Sequence, residues 1–80
     1  MDEKRLLWAS RRGMLELDLI LIPFVEQVYP RLAPTEQRLF QDMLAREDQD
    51  IFTWLLRSVV PQEEAMRRIV DIILASRGPR

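Results

Sequence analysis

The apolar residues of this 80-residue chain recur with helical period from end to end, and five prolines and two glycines cut the pattern into short pieces. Nothing alternates as a strand would. Val59-Val60 is too short, and Leu19 to Ile22 sits inside a helical stripe. The pattern predicts an all-α fold, one domain over residues 1–80, built as a compact bundle of about five short helices. A chain of this length buries only about 60% of its unfolded surface, so its core must be efficient. The 48% apolar fraction is sufficient for that, and 31% charged residues supply a soluble surface.

The first helix is expected to start after Asp2 as N-cap, to carry Leu6, Leu7 and Ala9, and to end near Gly13, where glycine can take the left-handed conformation. The second runs from about Met14 to Tyr29 on a stripe of Leu17, Leu21, Phe24, Val25 and Val28, widened by Ile20. Pro23 removes the bond to the Leu19 carbonyl and clashes there, which predicts a kink or break, and Pro30 ends the helix. Pro34 fits the first position of a third helix, with Ala33 as a cap that has no side-chain oxygen and Glu36 in the first turn. Leu39, Phe40, Met43 and Leu44 form its buried stripe. Asp48 is expected to cap a short fourth helix that buries Ile51, Phe52, Leu55 and Leu56. Pro61 is expected to open the fifth, where Met66, Ile69, Val70, Ile73 and Leu74 repeat most regularly before Gly78-Pro79 stops it.

Composition excludes several functions. The formal net charge of −1 argues against an electrostatic nucleic-acid binder. Arg67 and Arg68 on the fifth helix are flanked by Glu63, Glu64 and Asp71, unlike a basic recognition face. There is no cysteine, hence no disulfide and no thiolate metal site, which is compatible with the cytosol. There is no histidine, the commonest metal ligand and general base near neutral pH. The longest apolar run, Leu19 to Val25, is far short of the roughly 18 residues a membrane span needs. The charged start Met1-Asp2-Glu3-Lys4-Arg5 leads into no signal-like stretch, so nothing marks the chain for export. With no phosphate-binding glycine loop and no carboxylate pair backed by a recognisable site, an enzyme is not expected.

Polar character concentrates in Arg11-Arg12-Gly13-Met14-Leu15-Glu16, with Trp8 before it and Asp18 after it. If Gly13 caps the second helix, Glu16 falls at the third position and its carboxylate can reach back to the Gly13 amide. If the helix runs through Gly13, Arg12 and Glu16 form an i, i+4 pair worth only about 0.2–0.5 kcal/mol. A docking surface is the third reading of the same residues. Gly13 serves equally as a helix terminus or as a point of close backbone approach. Arg11 and Arg12 are either solvated surface or the rim of an apolar docking patch beside Met14. For Trp8 and Trp54 the core is favoured over a contact role, because small helical domains need large aromatics. The nearness of Trp8 to the chain end and to the motif leaves room for partial exposure. Glu47, Asp48 and Asp50 are read as a capped, solvated loop rather than a metal site, since no calcium-loop pattern surrounds them.

The RGxxE core with its flanking Trp8 and Asp18, together with the downstream segment Asp50-Ile51-Phe52-Thr53-Trp54-Leu55, resembles the FAD assembly factors of succinate dehydrogenase over almost the whole chain. The resemblance implies a chaperone-like cytoplasmic protein of bacteria, expected as a monomer. Its partner would be the flavoprotein subunit of succinate dehydrogenase, and often that of the related fumarate reductase. The partner-binding residues would be Trp8, Arg11, Arg12, Gly13, Met14, Glu16 and Asp18. FAD would belong to the client, where it becomes joined to a client histidine in a largely self-catalysed step, and none would be held tightly here. Members of that family are also described as the antitoxin of a toxin–antitoxin pair beside a membrane-bound toxin, a protein-binding alternative that no residue here singles out.

Overall fold

Residues 3–10 and 13–77 are described by a computed structural model. Asp2, Arg11, Arg12 and the Gly78-Pro79 stop lie outside them. Five α-helices follow in order: α1 Glu3–Ser10, α2 Leu15–Gln27, α3 Pro34–Leu44, α4 Asp48–Leu55 and α5 Glu64–Ser76. No strand occurs among the described residues.

α2 is the central apolar element. Its Leu17, Ile20, Leu21, Phe24 and Val25 are buried, and of the kink or break expected at Pro23 the break does not occur: the helix continues through it. Tertiary packing explains this. Buried residues on either side of Pro23 hold the helix against the core, while the ring itself is exposed to solvent. A short 3₁₀ turn, Tyr29–Arg31, follows where the sequence indicated only a stop. Pro30 lies in its opening positions, and the Leu32 N–H donates to the Tyr29 carbonyl at 3.0 Å. The turn seats Tyr29 against Phe40 at 5.6 Å between ring centroids, with Phe24 on the same ring at 5.1 Å. Both spacings suit tilted aromatic pairs. Gln37 and Gln41 of α3 donate to the Tyr29 carbonyl and hydroxyl at 2.9 and 2.8 Å, so the turn is tied down at both ends of one residue.

α3 starts at Pro34 with Ala33 as its N-cap, as expected. Alanine has no oxygen to offer, so half of a capping box forms: Glu36 Oε1 accepts from the Ala33 N–H at 3.0 Å. The same Glu36 side chain meets Arg68 of α5 at 3.7 Å. α4 begins one residue earlier than expected. Glu47 is the N-cap, Asp48 is the first helical residue, and acidic side chains occupy the positive end of the dipole. α4 buries Ile51 and Leu55, leaves Phe52 half-buried, and exposes Leu56, which sits at the C-cap beyond the last buried turn. The helix closes through the left-handed residue Arg57, φ 63°. The Ser58 N–H reaches the Thr53 carbonyl at 2.9 Å and the Arg57 N–H the Trp54 carbonyl at 3.1 Å. That is a Schellman closure with arginine where glycine is usual.

α5 opens at Glu64, not at Pro61, which is buried in the preceding loop. Arg67 holds that loop by donating to the carbonyls of Pro61 and Gln62 at 3.0 and 2.8 Å. Met66, Ile69, Val70 and Ile73 are buried, and Leu74 is half-buried. At the start of α5, Glu63 forms a two-pronged ion pair with Arg46, just past the end of α3. The hydrogen bond to Glu63 raises the Arg46 pKa, and the same bond lowers that of Glu63 below the usual carboxylate value.

Candidate functional site

The junction of α1 and α2 presents the singled-out residues. α1 is anchored by Leu6, which is buried, and by Ser10, whose hydroxyl is buried and donates to the Leu6 carbonyl at 2.8 Å. Burying Leu6 turns Trp8 outward, and Trp8 is 79% exposed. The preference for Trp8 in the core is therefore corrected. An eight-residue helix has one narrow buried face, and Leu6, Ser10 and the half-buried Leu7 and Ala9 occupy it. Trp54, by contrast, is half-buried and packs against the core.

Gly13 has φ +77°, a conformation that suits glycine, and a Cβ built there would meet nothing within 4 Å. The residue is glycine for its backbone angle, and its backbone lies open to solvent. Met14 is the extended N-cap of α2, half-buried against the core, with no side-chain cap bond. Glu16 is consequently the second helical position, not the third, and no bond joins it to the Gly13 amide. Its side chain is exposed and forms no hydrogen bond or ion pair in the described structure. It stays in the first turn, where the helix dipole favours an anion. Asp18, two residues on in the same first turn, is half-buried, and its N–H donates to the Met14 carbonyl at 3.0 Å. Arg11 and Arg12 lie outside the described residues, so neither the Arg12–Glu16 pair nor the rim position has a geometry here.

The arrangement places an open glycine, a half-buried methionine and an exposed carboxylate in sequence, with an exposed tryptophan on the preceding helix. No group of three or more Asp or Glu among the described residues is placed to hold a metal ion. A family model described as flavinator of succinate dehydrogenase matches residues 4–77. The FAD assembly factor SdhE of Pseudomonas aeruginosa is 51% identical over 71 residues, covering 89% of this chain and 84% of its own. The chain belongs to the family of succinate dehydrogenase flavinators. The SdhE of Pseudomonas putida is 45% identical over 76 residues, 95% of this chain and 90% of its own. That of Colwellia psychrerythraea is 38% identical over 73 residues, 91% and 80% respectively. These names describe an assembly factor of the FAD enzyme rather than an enzyme. No described helix is long and apolar enough to cross a membrane.

The tertiary structure adds two residues to the surface beside the motif. Leu15 and Leu19 are 69% and 65% exposed. Apolar content alone assigns leucines of so hydrophobic a helix to the interior. The available signal was their offset from the buried set, since Leu15 and Leu19 fall outside the stripe of Leu17, Leu21 and Phe24.

Proposed function

We propose that this assembly factor binds the flavoprotein subunit of succinate dehydrogenase, with the fumarate reductase subunit as a second client, and promotes covalent attachment of its FAD. The observation that carries the reading is the exposed Glu16 carboxylate, without a partner among the described residues, beside the open backbone of Gly13. Trp8, Arg11, Arg12, Gly13, Met14, Glu16 and Asp18 form the docking surface. The factor works in the cytoplasm as a monomer and holds no FAD of its own. Its chemistry is positioning. The chain has no histidine, so the acceptor histidine, like the flavin, belongs to the client. By binding one arrangement of the client better than others, the factor raises the population in which flavin and acceptor are aligned, which speeds a step the client itself performs.

Glu16→Ala is the sharpest test. Glu16 makes no side-chain bond in the described structure, so its loss costs at most a helix-dipole term of about 0.3–1 kcal/mol. That is small against a domain stability on the order of 5–15 kcal/mol. The variant should melt close to wild type yet fail to support flavin on the client, read as flavin fluorescence of the client subunit in a denaturing gel. Full client flavin with Glu16→Ala would refute the docking role. Gly13→Arg should also abolish flavin attachment, but its positive φ adds backbone strain of about 1–2 kcal/mol, so its melt must be read beside the gel.

A further inference from the structure

The outward faces of α3 and α5 carry Arg38, Asp42, Arg67, Arg68 and Asp71, all exposed. A surface helix normally sets such polar side chains toward water. α2 departs from this. Its buried face is apolar, and its outward ridge is apolar too: Leu15, Leu19 and Pro23, spaced at i, i+4 and i+8, are all exposed. Glu16 belongs to the same side of the helix, three residues before Leu19 and seven before Pro23. At a rise of 1.5 Å per residue, Glu16 and Pro23 are about 10 Å apart along the axis. Beyond Leu19 the ridge opens into a cleft of about 200 Å³, walled by Leu19, Pro23 and Gln27 on one side and by Ser76 and Arg77 at the end of α5 on the other. Pro23 has no N–H, so the Leu19 carbonyl loses its helical partner on this wall.

We propose that the flavoprotein client lays an apolar segment along this ridge, running from Glu16 over Leu15 and Leu19 and setting one side chain into the cleft beyond Pro23. The inference rests on the reading of Gly13 to Glu16 as the docking motif; what it adds is the extent and direction of the interface. Continuity identifies the occupant. A partner surface close enough to meet the Glu16 carboxylate lies within one helical turn of Leu19, and covering two exposed leucines removes apolar surface from water. The Leu19 carbonyl offers a backbone N–H of that segment an acceptor. Leucines at the centre of such a contact exclude water around the charged motif, which strengthens its polar interactions.

The test titrates purified apo flavoprotein subunit of succinate dehydrogenase with wild type, Leu19→Glu, Glu16→Ala and Val60→Glu. Val60 is an off-ridge control, 69% exposed in the loop before α5. Thermal melts accompany each variant. Leu19→Glu should weaken binding at least tenfold and Val60→Glu should leave it unchanged. Wild-type affinity for Leu19→Glu beside weakened Glu16→Ala overturns the ridge and leaves the motif reading standing. A wild type that does not bind, or Glu16→Ala and Leu19→Glu both neutral, overturns the motif reading and the ridge with it. Should Leu19→Glu fail to fold, a photo-crosslinking side chain introduced at exposed Gln27 decides. Capture of the client supports the cleft, and a complex that forms without capture overturns it.

Discussion

At the scale of single residues, backbone angle separates two positions that composition treats alike. Gly13 and Arg57 both have positive φ, 77° and 63°. Only one is glycine. For an L-residue the left-handed region costs roughly 1–2 kcal/mol, and glycine avoids this at some entropic cost in the unfolded chain. Arg57→Gly should therefore stabilise the protein by about 1 kcal/mol, a rise in Tm of roughly 4–8 °C for a domain this size. The Schellman bonds from Arg57 and Ser58 to Trp54 and Thr53 are backbone bonds and survive the change. A thermal melt checks it, and an unchanged or lower Tm would mean the arginine side chain offsets its own strain. Trp8 carries the other residue-scale lesson. Its size assigns it to the core, but Leu6 and Ser10 already fill the one buried face of α1.

Elements hold together by stripes and by their ends. Ile69 and Ile73 of α5 are both fully buried. Replacing either by alanine should cost about 2–5 kcal/mol in a urea or thermal unfolding measurement, the range for deleting buried isoleucine carbons. A change below about 1 kcal/mol would remove that face of α5 from the core. The end of α3 and the start of α5 are joined by Arg46 and Glu63, whose pairing lowers the Glu63 pKa. A carboxylate with a depressed folded pKa stabilises the fold fully above its unfolded pKa, and the contribution is lost as pH falls through the folded value. Any Tm difference between wild type and Glu63→Gln should therefore be present at neutral pH and shrink on acidification below the ordinary glutamate range. A difference that persists or grows in acid would contradict the assignment. The pair is surface-exposed, so the effect should also fade in high salt.

On the scale of the whole molecule, the Cα radius of gyration is 11.5 Å, close to the roughly 12 Å expected of a compact chain this long. The buried hydrophobic residues form one core cluster drawn from all five helices. Isolated protein should bind free FAD weakly or not at all, because no dinucleotide fingerprint follows a strand here. Two clefts lined by described residues measure about 200 and 240 Å³, below the usual range of small-molecule sites. A stoichiometric complex at micromolar FAD, seen by calorimetry or flavin fluorescence, would contradict this and move part of the cofactor chemistry onto the factor.

Helical periodicity, proline placement and the absence of alternation determined the class of fold, the number of helices and most of the buried set, because a buried stripe needs a fixed spacing that local sequence records. The start of α3 at Pro34 was legible for the same reason: proline's missing N–H and fixed φ suit a first helical turn. The motif was legible as a cluster of residue types. Three outcomes belonged to tertiary structure alone. α2 continues through Pro23 because contacts on both sides outweigh the lost backbone bond. The 3₁₀ turn at Tyr29 exists because Phe40, Gln37 and Gln41, distant in sequence, hold that tyrosine. Leu15, Leu19 and Trp8 are exposed because other side chains of their own helices already occupy the faces turned to the core. Periodicity tells which residues share a face, and only packing tells which faces are covered.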